Sequence, residues 1–264
     1  MTNHDLIYLA DLNYAESFRE TARWTADCEI IEQDDLLLIA GSDSTPVTNS
    51  AIRLGNFPYP PAEQVMERVR TFFGKRNRGY GLHLRRHLDS DLELLCRSAE
   101  MVKISEPPGM SIQEPIRNKD LPFGVTIKPV EDKSGALDFA SVVIESFQSL
   151  GMPKESGEKI FETPERMLRP SNHLVVAYLS GRPVSSAMLI FSHYIAGIYW
   201  VGTIASARKM GLAEACTSLV TNEAFRRGAS CVILQASPFG EPIYRRLGFK
   251  EFTRYLWYMH FFKG

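Results

Sequence analysis

The sequence carries almost no surplus of charge: 30 Lys and Arg stand against 31 Asp and Glu, a net charge of −1. A chain so balanced offers no field to draw in nucleic acid or an anionic membrane, and neither is expected as a partner. Cysteine is scarce as well. Cys28, Cys96, Cys216 and Cys231 include no C-x-x-C pair, and no histidine cluster accompanies them, so no metal site is expected. A disulfide framework is not expected either, because a chain of this size builds its own core. The four thiols read as reduced and mostly buried. No apolar run approaches the ~20 residues of a membrane span. The start, Met1 to Asp5, lacks the basic-then-apolar succession of a secretory leader, which points to a cytoplasmic protein.

What is present is an ordinary globular composition, 44% hydrophobic and 23% charged over 264 residues. That length suits two domains. Residues 1–105 alternate helix and strand patterns: a helix near Leu12 to Arg23, strands over Leu36 to Ala40, Asn49 to Leu54 and Gly79 to Arg85, and helices after Pro61 and Ser90. Glu106-Pro107-Pro108-Gly109 and the polar stretch after it read as a linker, 106–121. Residues 122–264 read as a second domain. Its order is a strand (Val125 to Val130), helices at Gly135 to Leu150 and Glu155 to Leu168, and three strands between His173 and Thr203. A helix to Arg227, a strand to Gln235, a short helix and a last strand from Phe249 follow. Such an order implies an α/β fold, with a mixed sheet flanked by helices.

The chemistry concentrates where the third of those strands meets the long helix, in Thr203-Ile204-Ala205-Ser206-Ala207-Arg208-Lys209-Met210-Gly211-Leu212-Ala213. The first amides of a helix lack partners and sit at its positive end, so an anion docks there readily. Gly211 and Ala213 leave the main chain open to close approach, and Arg208 and Lys209 add cations. The stretch is neither G-x-x-x-x-G-K-[ST] nor G-x-G-x-x-G. It reads R-x-x-G-x-A and resembles the acyl-CoA diphosphate loop of the GNAT (N-acetyltransferase) superfamily. Ile243-Tyr244-Arg245-Arg246-Leu247-Gly248-Phe249 resembles the Y-x-x-x-G-F ending of the same family.

The resemblance implies a GNAT fold over residues 122–264, with acetyl-CoA as cosubstrate and no metal. Val201, Gly202 and Thr203 would bond the pantetheine arm and acyl carbonyl. Arg208, Lys209, Met210, Gly211, Leu212 and Ala213 would hold the diphosphate. Tyr244 would face the departing sulfur. Tyrosine (pKa about 10) is a weaker acid than a thiol (about 8.5), so a hydrogen bond to the thiolate suits it better than full proton transfer. His173, His193, Glu145 and Glu241 qualify as a general base on residue type alone, and each reads as a surface or turn residue. A missing base leans toward a weakly basic amine. The acceptor is expected to be a small-molecule or peptide amine, the oligomeric state open to a homodimer. A catalytically silent acyl-CoA sensor, or a transferase of longer acyl or aminoacyl groups, fits the same motifs.

Residues 1–105 resemble the degenerate first half of tandem GNAT proteins. The place of the diphosphate loop there is taken by Gly55-Asn56-Phe57-Pro58-Tyr59-Pro60-Pro61, whose prolines lack amide donors, so no acyl-CoA is expected in that half.

Overall fold

The computed structural model describes residues 2–33, 35–55, 60–117 and 120–262. The first half runs α1 (Asn3–Trp24), β1 (Glu29–Gln33), β2 (Leu36–Ala40), β3 (Ser50–Arg53), α2 (Ala62–Gly74), β4 (Tyr80–Arg85), α3 (Ser90–Ser98), β5 (Val102–Ser105) and β6 (Pro108–Ile112). The second runs β7 (Val125–Pro129), α4 (Lys133–Gln148), α5 (Lys154–Ile160), β8 (Asn172–Leu179), β9 (Arg182–Ser192), β10 (Ile195–Thr203), α6 (Leu212–Arg226), β11 (Val232–Gln235), α7 (Glu241–Arg246) and β12 (Lys250–His260). No described helix is long and apolar enough to cross a membrane.

One pattern occurs twice. An antiparallel trio, β1-β2-β3 or β8-β9-β10, feeds a helix, and the helix returns the chain to a strand parallel to the third. A parallel neighbour requires such a crossover, because a tight turn only reverses the chain. The β8–β9 hairpin turns on Ser180 and Gly181, both at positive φ (+51° and +83°), as two-residue hairpins prefer.

The strands join one sheet in the order β1-β2-β3-β4-β12-β6-β11-β10-β9-β8-β7, with β5 on β12. Its centre is a reciprocal exchange. Strand β6, which closes the first repeat in sequence, pairs with β11 of the second. Strand β12, which closes the second repeat, pairs with β4 of the first, and β6 and β12 pair with each other. The expected linker 106–121 is therefore a sheet strand in part. Pro107 and Pro108 donate no hydrogen bond, but their carbonyls accept from Tyr255 and Ala236, both at 3.0 Å. The helix expected over Glu155 to Leu168 also differs: α5 stops at Ile160, and a single 3₁₀ turn, Pro164–Met167, follows.

Helix α6 covers one face of the second-half sheet, where Cys216 and Val220 meet Ala187, Leu189 and Ile198. Helix α4 covers the other, through Phe139, Val143, Met188 and Ile190. Leu137, on the outer side of α4, is exposed. Helix α1 serves both halves. Leu6 and Ala10 pack on Ile195 and Ile233, while Ala15 and Ala22 pack on Leu37 and Ile52. Its Asp11 accepts from the Tyr255 hydroxyl (3.0 Å) and meets His87 Nε2 (3.0 Å), whose Nδ1 meets Thr253 (2.7 Å).

His83 of β4 lies beneath α1, stacked on Trp257, with the Tyr14 and Ser50 hydroxyls each at 3.4 Å. Burial pushes its imidazole down to about 3 from an ordinary 6.5. The unfolded chain then binds this proton at a higher pH than the folded one, so the stability His83 contributes is present above pH 6.5 and drains away toward pH 3. Chemical denaturation across that window should show a steep acid loss. In His83→Phe the loss should be shallower; an unchanged slope would show that His83 titrates normally in the folded chain.

Candidate functional site

Strands β10 and β11 pair at three positions, Ala196–Val232, Gly197–Ile233 and Ile198–Leu234, and then part. Strand β10 runs on to Thr203 while β11 stops at Gln235. On its other side β10 slips register against β9: Tyr199 faces Met188 and Gly202 faces Ser186, so Trp200 and Val201 together oppose Ala187. This bulge bends the strand. Trp200 takes φ +53°, a conformation that costs a side-chain-bearing residue roughly 1–2 kcal/mol and that collects at functional sites. The result is a V-shaped opening, and along its β10 arm the main chain has no partner in β11.

Beyond Thr203 a 3₁₀ turn, Ala205–Ala207, leads to Arg208, then to Lys209 at φ +64° and Gly211 at φ +76°. Helix α6 starts at Leu212 with Gly211 as its N-cap and no side-chain cap. Its first amides therefore keep their donors. A Cβ built on Gly211 would meet nothing within 4 Å, so the space over this helix end is open. Leu212 is 1% exposed and Met210 half-buried in the apolar cluster under α6, so these two offer the opening main chain alone. Lys209 is exposed. The Arg208 guanidinium donates to the Thr203 carbonyl (3.3 Å) and to the Ser149 hydroxyl at the end of α4 (2.6 Å). Val201, Gly202 and Thr203 thus lie along the unpaired end of β10, and Arg208 through Ala213 lead from that end into the start of α6.

Tyr244 lies on α7, 7% exposed, in the same apolar cluster as Leu212 and Leu234. Its ring meets Phe249 edge-on at 6.0 Å, and a Cβ on Gly240 would press to 2.7 Å from it. Burial alone pushes the hydroxyl well above the ordinary tyrosine value.

The four candidate bases lie elsewhere or are engaged. His173 opens β8 and His193 sits in the β9–β10 turn, both at the end of the sheet opposite Thr203. Glu241 is paired with Arg245 at 2.7 Å, and exposed Glu145 lies 3.9 Å from Arg182. Among the described residues, no group of three His, Cys, Asp or Glu gathers as metal ligands. The last turn of α4 presses on β10: a Cβ on Gly202 would come 2.1 Å from the Ser146 hydroxyl and 3.7 Å from the Phe147 ring.

The first repeat closes the corresponding place. Arg53 at the end of β3 and Arg85 at the end of β4 both donate to Asp89, at 2.9 Å each, and Arg53 also pairs with Asp91 at 2.7 Å. Asp89 and Arg53 are buried, so charge-assisted bonds fill the crevice between the strands. Of the proline-rich stretch from Gly55 to Pro61, residues 56–59 lie outside the described residues.

The fold recurs in known structures. A GCN5-related N-acetyltransferase from Kribbella flavida superposes with TM-score 0.72 at 20% identity, over 95% of this chain and 94% of its own. The fold is that of the GCN5-related N-acetyltransferases. A second such protein, from Sphaerobacter thermophilus, matches at TM-score 0.63 and 14% identity over 88% of this chain and 82% of its own. A tandem GNAT protein of the clavulanic acid biosynthesis pathway matches at 0.59 and 11% over 100% of this chain and 98% of its own. No protein-family model and no curated protein matches the sequence. The GNAT fold was the expectation from residues 208–213 and 244–249, and the two repeats make it a tandem one.

Proposed function

We propose that the chain is an acyl-CoA-dependent N-acyltransferase that moves the acetyl group of acetyl-CoA to a primary amine by direct attack. The observation that carries this reading is the uncapped start of α6, open above Gly211 and set against the splayed end of β10. Bound acetyl-CoA supplies an activated acyl carbon and a thiolate leaving group. The amides of the first turn of α6, with Lys209 and a re-oriented Arg208, bind the diphosphate. The main chain of Val201, Gly202 and Thr203 holds the acyl arm against the bulge. Holding both reactants in one cleft removes much of the entropic barrier. A groove of about 640 Å³ past Glu214, lined by Arg117, Arg246 and Lys250, suits the nucleotide end and its 3′-phosphate.

Tyr244 donates a hydrogen bond toward the leaving sulfur. Tyr244→Phe is expected to lower kcat roughly 10-fold, the equivalent of one ~1.4 kcal/mol hydrogen bond, while acetyl-CoA affinity stays within about 2-fold. Equal losses in kcat and affinity would make Tyr244 a packing residue. Thiol release from acetyl-CoA across a panel of amines tests the reading itself. Turnover with any primary amine supports it, and binding without turnover would leave an acyl-CoA sensor.

A further inference from the structure

The bulge residue and the end of α4 form an aromatic wall on the side of the V opposite α6. Phe147 touches the Gly202 position, and its ring lies 5.4 Å from that of Trp200. Trp200 in turn meets Phe161 at 5.2 Å and Trp24 at 6.3 Å. Trp24 and Phe161 are buried and form the back of the wall; Phe147 and Trp200 are half-buried and form its front. The loop after α4 adds Leu150, 43% exposed, and Met152. Trp200 holds a left-handed backbone conformation that bulky residues avoid, in the strand segment just before Val201 and Gly202.

The charges at this wall are a cation, Arg208, which donates to Ser149 at the end of α4, and carboxylates already engaged: Glu162, next to Phe161, accepts from the Ala26 amide (3.4 Å). Glu20 is the carboxylate buried behind the wall, and it already accepts from Trp24, Asn172 and Arg23. Glu145, on the outer side of α4, lies toward Arg182. A second cationic group on an acceptor would meet Arg208 and carboxylates already engaged, and would have to shed water against rings and methyl groups. An aryl or bulky apolar group would bury its surface and stack on Phe147 and Trp200.

We propose that the acceptor is a primary amine borne on an aromatic or bulky apolar group, seated against Phe147 and Trp200. This rests on the acetyl-transfer reading and adds the acceptor class to it. The test uses the full chain, acetyl-CoA and thiol release with 2-phenylethylamine, phenylalanine amide, 1,4-diaminobutane and lysine. The aryl amines should exceed the diamine and lysine in kcat/KM by about 10-fold or more, the discrimination one apolar contact supplies. Trp200→Ala and, independently, Phe147→Ala should raise KM for 2-phenylethylamine about 10-fold while calorimetric affinity for acetyl-CoA is unchanged, and Trp200→Phe should restore most of it. Preference for 1,4-diaminobutane or lysine with turnover intact overturns this inference and leaves acetyl transfer standing. No binding of acetyl-CoA at all overturns the reading beneath it.

Discussion

Expressed alone, residues 122–264 will not fold to a cooperative, soluble domain, although they hold every motif of the proposed site. The reason is the exchange at the centre of the sheet. The fragment lacks β6, so β11 loses one of its two neighbours and Met110 is gone from the core beneath α6. It also lacks β4, so the far half of β12 has nothing to pair with, and Tyr255, Leu256 and Tyr258 come into water. Four large buried side chains at ~1.5–3 kcal/mol each amount to roughly 6–12 kcal/mol, as much as a whole domain's stability. Thermal denaturation of the fragment should show no cooperative transition. Starting it at residue 106 restores β6 but not β4 and should rescue it in part. Co-expression of 1–121 with 122–264 should restore a folded complex. A monomeric fragment 122–264 that melts cooperatively would show that the exchange contributes little.

The second large effect is expected at Gly211. A β-branched side chain at φ +76° costs the backbone roughly 1–2 kcal/mol, yet the site has room for it, so Gly211→Val should still fold. What the valine fills is the space over the first amides of α6. Losing two charge-assisted hydrogen bonds there, at ~1.5–3 kcal/mol each, weakens binding by about 100-fold or more. Gly228, at the other end of the same helix, is the control: its φ is +87° and it too has open space around it. Gly228→Val should carry a similar backbone cost and leave acetyl-CoA affinity intact. Equal effects at the two glycines would make the Gly211 result one of stability alone.

Much of this architecture is legible in local sequence. The turn into α6 carries glycine and cations at fixed spacing, and the helix after it keeps one apolar face, so its start is predicted to within a residue. The hairpin at Ser180-Gly181 is equally local. Elements that depend on distant partners are not legible. Strand β6 is five residues that begin on the second of two prolines, and what makes it a strand is β11 on one side and β12 on the other. Strand β1, Glu29–Gln33, is mostly exposed and carries two glutamates, and pairing with β2 defines it. The bulge at Trp200 is a mismatch of register between β9 and β10, which no single strand encodes. Ser146 and Phe147 reach the site because α4 lies over β10, a matter of helix packing. Nor do Arg53, Arg85 and Asp89 announce from sequence that they close the first repeat; only the folded ends of β3 and β4 bring them together.

Titration calorimetry of the full chain with acetyl-CoA addresses the diphosphate-binding helix end most directly. One molecule per chain should bind, because the second repeat opens its crevice and the first fills it with ion pairs, and Gly211→Val should abolish the heat. No heat with the unaltered chain, or two equivalents bound, would contradict the account.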